Sequence, residues 1–108
     1  MASRKLTGYL GLARRAGKII SGYKTCQNYI GKGGLIKLMI IAADASQKTQ
    51  DRFTALCEKY GVPVYIYGLT DELSKATGLP GRGIYAVTDS NFAEAMVKEI
   101  ENEQIVPK

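Results

Sequence analysis

Leu38-Met39-Ile40-Ile41-Ala42-Ala43 is a continuous apolar run that breaks at Asp44 and is followed by Ser46. Apolar residues at every position, rather than at every second one, mark a strand covered on both faces. Helices must therefore flank it on two sides. Downstream, Ser46 is placed to cap a helix reaching about Tyr60, with Phe53, Leu56, Cys57 and Tyr60 on one face and Gly61 as its stop. Val62-Pro63-Val64-Tyr65-Ile66-Tyr67 reads as a further strand, with Pro63 tolerated at its start. Asp71 to Thr77 reads as a short helix closed by Gly78, and Asp71 and Glu72 sit where first-turn acids meet the helix dipole. The loop Leu79-Pro80-Gly81-Arg82-Gly83 leads into the strand Ile84-Tyr85-Ala86-Val87. Ser90 is the expected cap of the last helix, with a polar tail from about Glu101 expected to fray.

Upstream of the run the pattern is helix, short strand, helix. Leu6, Tyr9, Leu10, Leu12 and Ala13 recur at largely helical spacing between about Arg4 and Ala16, although Gly8 and Gly11 fall inside that segment. Lys18-Ile19-Ile20-Ser21 is a short strand. Ser21 and Gly22 open a second helix to about Lys32, with Cys26, Tyr29 and Ile30 facing inward, and Gly31, Gly33 and Gly34 end it. Alternating helices and strands in a chain of 108 residues predict one domain over 1–108, an α/β/α sandwich in three layers.

Charge is distributed unevenly. Residues 1–43 carry Arg4, Lys5, Arg14, Arg15, Lys18, Lys24, Lys32 and Lys37 with no acid, whereas the remainder holds seven basic residues against ten acids. Ordinary surfaces intersperse both signs, so an acid-free first part points to a polyanionic partner. A membrane surface fits poorly, because the cations are spread out and no cluster of large apolar residues accompanies them. No run of about 18 apolar residues exists to span a bilayer.

The inventory for catalysis is thin. There is no histidine for proton transfer, and Cys26 and Cys57 are isolated, which excludes a Cys/His zinc site. Two cysteines permit a disulfide, but both sit among apolar neighbours, and buried reduced thiols in a cytoplasmic protein are the expectation. Gly31-Lys32-Gly33-Gly34 lacks P-loop spacing, and Gly78-Leu79-Pro80-Gly81-Arg82-Gly83 precedes a strand rather than opening a helix, so both read as turns. Asp44 reads as a turn acid. No enzyme and no cofactor are expected.

Several segments together resemble the kink-turn RNA-binding ribosomal protein family (the L-seven-Ae type), most closely its bacterial YlxQ-like branch. They are Leu10-Gly11-Leu12-Ala13-Arg14-Arg15-Ala16-Gly17-Lys18 running into Ile20-Ser21-Gly22, then Lys37 to Ser46, then Cys57-Glu58-Lys59-Tyr60-Gly61-Val62-Pro63, and finally Glu72 to Gly78 and Ala86-Val87-Thr88-Asp89. The resemblance implies a three-layer α/β/α sandwich with a central mixed four-stranded sheet that binds RNA without a cofactor. It further implies that the start of the second helix meets sheared G·A pairs in a bent duplex. The family pattern Gly-x-Asn-Glu with a later Lys falls here on Gly22, Lys24, Thr25 and Asn28, so three of its four positions differ. Lys24 can still donate to guanine O6 and N7, Thr25 can donate or accept, and Asn28 keeps hydrogen bonding without charge.

The expected RNA site comprises Lys18, Ser21, Gly22, Lys24, Thr25, Asn28, Lys32 and Lys37, with the loop residues Leu79, Pro80, Gly81 and Arg82. Free N–H groups at Ser21-Gly22 would meet a phosphate or base edge, and the lysines, with Arg14 or Arg15, would supply a salt-dependent field. The expected partner is structured RNA, a kink-turn or ribosomal RNA, with the ribosome as a further candidate, for a monomer that needs no membrane. The alternative is a protein-interaction or ribosome-assembly module whose kink-turn site has been modified or lost.

Overall fold

The computed structural model describes residues 3–80 and 83–105. The alternating pattern of residues in the strands explains the layering. In β2 (Leu38–Ile41), Leu38 and Ile40 join one apolar cluster, while Met39 and Ile41 join a second on the opposite side of the sheet. β4 (Ile84–Val87) divides the same way, with Tyr85 and Val87 to the first cluster and Ile84 and Ala86 to the second. Both strands are buried at every position, as the unbroken apolar run requires.

β1 (Ile19–Ser21) and β3 (Val64–Ile66) are the short edges of a sheet ordered β1-β4-β2-β3. β2 and β3 run parallel, while β4 is antiparallel to both β1 and β2. The helices α1 (Arg4–Arg15), α4 (Thr70–Thr77) and α5 (Ser90–Ile105) cover the first face. The second face is covered by α2 (Tyr23–Gly31) and α3 (Gln47–Tyr60). The result is the expected α/β/α sandwich with a mixed four-stranded sheet.

Local chemistry accounts for most boundaries. Ser3 Oγ accepts from the Leu6 N–H to start α1, and Ser46 Oγ accepts from the Thr49 N–H to start α3. Neither Gly8 nor Gly11 breaks α1. At Gly11 an added Cβ would lie 3.3 Å from the Ala76 carbonyl oxygen, so the glycine lets α4 cross α1 closely.

Four expectations are corrected. Asp89, not Ser90, caps α5, accepting from the Phe92 N–H at 3.0 Å. Ser21 lies within β1 opposite Tyr85, and the cap of α2 is Gly22. Tyr29, Tyr60 and Leu12 are exposed rather than core, because Cys26/Ile30, Phe53/Cys57 and Leu6/Leu10/Ala13 form the buried stripes of their helices. Where a frayed tail is expected from about Glu101 to Lys108, α5 continues to Ile105, with Tyr65 donating to Glu101 at 2.7 Å and Tyr67 donating to Glu103, while residues 106–108 lie outside the described residues. Cys26 and Cys57 are buried free thiols.

Candidate nucleic-acid interface

Gly22 sets the geometry of the α2 entrance. Its φ of 96° lies in a region that residues with a Cβ rarely adopt, and its N–H donates to the Ile84 carbonyl at 3.1 Å. That bond pins the start of α2 to the start of β4. It also corrects the expectation of a free N–H at this residue. A glycine has no side chain to cap the helix, so the N–H groups of Tyr23, Lys24 and Thr25 have no partner within the first turn. They and the helix dipole favour an anion or an acceptor edge at this point.

The entrance opens into a cleft of about 470 Å³ lined by Gly22, Tyr23, Lys24, Thr49, Pro80 and Ile84. Three elements meet there: the first turn of α2, the first turn of α3, and the loop between α4 and β4. Lys24, Thr25 and Asn28 are exposed on α2. Pro80 is exposed at the mouth of the cleft, whereas Leu79 is half-buried against the first cluster and its carbonyl accepts from the Tyr85 hydroxyl at 2.7 Å. Leu79 therefore anchors the loop more than it faces a ligand. Gly81 and Arg82, also expected here, lie outside the described residues.

Two expected lysines are placed elsewhere. The Lys37 N–H donates to the Val87 carbonyl and the Lys18 carbonyl accepts from the Thr88 N–H, which puts both at the far end of β4 from Ile84. The strand is ~10 Å long at its usual rise, so Lys18 and Lys37 are not brought to the cleft. Lys32 caps the other end of α2.

Two residues not anticipated from sequence belong here, Thr49 at the cleft and Arg52 on Tyr23, one of its walls. Thr49 lines it, its hydroxyl accepting from Ser46 Oγ at 2.9 Å. The Arg52 guanidinium lies 5.4 Å from the centre of the Tyr23 ring. Tyr23 in turn packs edge-on against the buried Phe53 at 4.9 Å. An Arg held on an aromatic face is positioned before any ligand arrives. Nothing local in the sequence flags this contact, which spans 29 positions.

The carboxylate in the turn before α3 is already engaged. Asp44 Oδ1 accepts from both the N–H of Thr70 at 2.9 Å and its hydroxyl at 2.7 Å, and these bonds hold its carboxyl below the usual range. Asp44 is thus a clamp on the start of α4. Among the described residues no cluster of His, Cys, Asp and Glu could hold a metal ion, and no helix is long and apolar enough to cross a membrane.

A family model described as the ribosomal protein L7Ae/L30e/S12e/Gadd45 family matches residues 4–97. The chain is 33% identical over 92 residues to the RNA-binding protein YlxQ of Bacillus subtilis, covering 85% of this chain and 91% of that protein. It is 30% identical over 98 residues to the RNA-binding protein YlxQ of Enterococcus faecium, with coverage of 91% and 93%. A solved structure of a Bacillus halodurans protein of unknown function superposes with a TM-score of 0.84 at 27% identity, covering 92% of this chain and 99% of that one. The Giardia lamblia 15.5kD RNA binding protein shares the fold, with a TM-score of 0.71 at 19% identity and coverage of 98% and 94%.

Proposed function

We propose that this chain, which belongs to the ribosomal protein L7Ae/L30e/S12e/Gadd45 family, uses the cleft at the entrance of α2 to recognise structured RNA of the kink-turn type. It is an RNA-binding protein rather than an enzyme, as its family and its YlxQ relatives indicate. The observation that carries the finer reading is the cleft itself, where an uncapped helix entrance, Lys24, Thr49 and Pro80 converge. Association with the ribosome or translation, a monomeric single domain and a cytoplasmic location complete the proposal.

Recognition would divide between backbone and side chains. The open N–H groups of α2 and the Arg52 guanidinium suit phosphate oxygens, which fix register and orientation. Lys24 suits guanine O6 and N7, and the hydroxyls of Thr25 and Thr49 suit either a donor or an acceptor on a base edge. A bent duplex exposes such edges where a regular A-form groove does not.

The test is a titration against a kink-turn duplex and the same duplex with its G·A pairs replaced. The intact kink-turn should bind more tightly, with affinity falling steeply as salt rises, and Lys24→Ala should weaken it about tenfold, the loss of a good base contact. Equal affinity for both duplexes would reject kink-turn recognition and leave general polyanion binding. No binding to either at low salt would favour a protein-interaction module. Converting Lys24 and Thr25 together to Asn and Glu measures how far the natural residues depart from tight sheared-pair recognition.

A further inference from the structure

Resting on the RNA-binding reading, we propose that the outer face of α2 carries an RNA strand out of the cleft to a second contact, a base-stacking corner at the helix exit. Lys24, Thr25, Asn28, Tyr29 and Lys32 are all exposed, while Cys26 and Ile30 on the reverse side are buried. At 3.6 residues per turn these five fall within about 140° of one another, so they form a single stripe. Lys24 and Lys32 mark its two ends, ~12 Å apart along the helix axis. One strand tracking along the helix can therefore meet both lysines. The charged side chains from α2 through the turn that follows are Lys24, Lys32 and Lys37, so no acid interrupts the path.

The stripe ends at an aromatic corner. Tyr29 is 37% exposed, and its ring lies on the backbone of Gly34, where an added Cβ would sit 2.5 Å from two ring carbons. The absent side chain at Gly34 is what lets the ring lie there. Tyr60, 45% exposed, and Leu35, 68% exposed, border a hollow of about 180 Å³ beside Gly33 and Gly34. Lys59 Nζ lies 5.6 Å from the centre of the Tyr60 ring. Aromatic faces flanked by lysines, next to a turn without side chains, suit an unpaired base and its phosphate. Continuity with the cleft, and two lysines with no acid between them, favour RNA here over a protein partner.

The experiment compares a blunt-ended kink-turn duplex with the same duplex carrying eight unpaired uridines on its 5′ or its 3′ end, each titrated against the full chain. One of the two extended RNAs should bind about tenfold more tightly than the blunt one, the gain expected from stacking one base. Tyr60→Ala should abolish that gain while binding the blunt duplex as the parent does, and the blunt affinity doubles as a folding control. Tyr29→Ala, which removes the second ring and leaves the backbone turn at Gly34 as it is, should reduce the gain as well. Equal affinity for all three RNAs, or a gain that survives Tyr60→Ala, would overturn the proposal and leave the corner to a protein. If the parent bound none of the RNAs, the RNA reading itself would fall together with this one.

Discussion

On the face of the sheet under α1, α4 and α5, Leu6, Leu10, Leu73, Met96 and Ile100 pack together, and Gly11 brings one helix against another. The face under α2 and α3 is built differently. Its cluster is smaller, includes two thiols, and joins α2 to α3 through the edge-on pair of Tyr23 and Phe53. The same strands serve both faces, because alternate residues point opposite ways. One face holds the molecule together, while the other gives up close helix packing and keeps an open helix entrance, a cleft and a stacked arginine. Binding surface and structural anchor thus meet in one small group of side chains on the second face.

The comparison is broken most directly at Phe53. Phe53→Ala should cost about 3–5 kcal/mol of stability in chemical denaturation, the usual range for removing a buried aromatic ring. It should also weaken RNA binding under conditions where the variant is folded, because Tyr23 and the arginine on it lose their support. Unchanged RNA affinity would show that the aromatic pair plays no part in the site. Leu10→Ala is the counterpart on the other face. A loss of about 3 kcal/mol is expected there, with RNA affinity within about twofold of the parent. A comparable loss of RNA affinity would mean that the faces are coupled through the sheet.

Smaller changes sharpen the contrast. Arg52→Ala should reduce RNA affinity about fivefold and leave stability nearly unchanged, since an exposed cation–π contact contributes about 0.5–1 kcal/mol. Arg52→Lys should recover part of the charge without the planar stacking. A last contrast shows only at high pH. Burial pushes the Cys57 thiol up to about 11, while burial together with the neighbouring Cys57 pushes Cys26 up to about 12, both from 9.0. Burial, followed by the hydrogen bond to Glu103, pushes Tyr67 up to about 12 from 10.0. Each group is held neutral by the fold, so each contributes stability that is intact below its unfolded value and is lost as pH rises through its folded one. The site face should begin to lose stability above pH 9 and the Tyr67–α5 contact above pH 10. Denaturation midpoints followed across that range should fall less steeply for Cys57→Ala from the lower limit and for Tyr67→Phe from the higher.

The layered fold was legible because its signals are local and agree. The unbroken apolar run at Leu38–Ile41, the Ser46 cap and the Gly61 stop each act within a few residues. The helix entrance was legible for the same reason, since Gly22 and Lys24 are neighbours in the chain. What stayed hidden was made by the tertiary fold. Thr49 reaches the cleft, and Arg52 reaches Tyr23, only when α3 lies beside α2. Lys18 and Lys37 counted toward one basic stretch, yet strand direction carries them to the opposite end of the sheet from Gly22. At Glu101 the continuing helix is met by Tyr65, 36 residues earlier, and no helix-end signal in the local sequence encodes that partner.

Gly83 marks a boundary for anyone wishing to re-engineer this scaffold. An added Cβ there would lie 2.9 Å from Thr70 Oγ1 and 3.0 Å from the Ala42 Cβ, at a φ of 86° that side chains resist. Its carbonyl also accepts from the Ala42 N–H at 2.7 Å. Gly83 is therefore a fixed joint, with the αL glycine Gly78 closing α4 on the other side of the loop. Between these two glycines Leu79 packs on the first cluster and its carbonyl accepts from the Tyr85 hydroxyl, so it is a third fixed point of the loop. New RNA preferences could be grafted there, provided Leu79 and both glycines are kept.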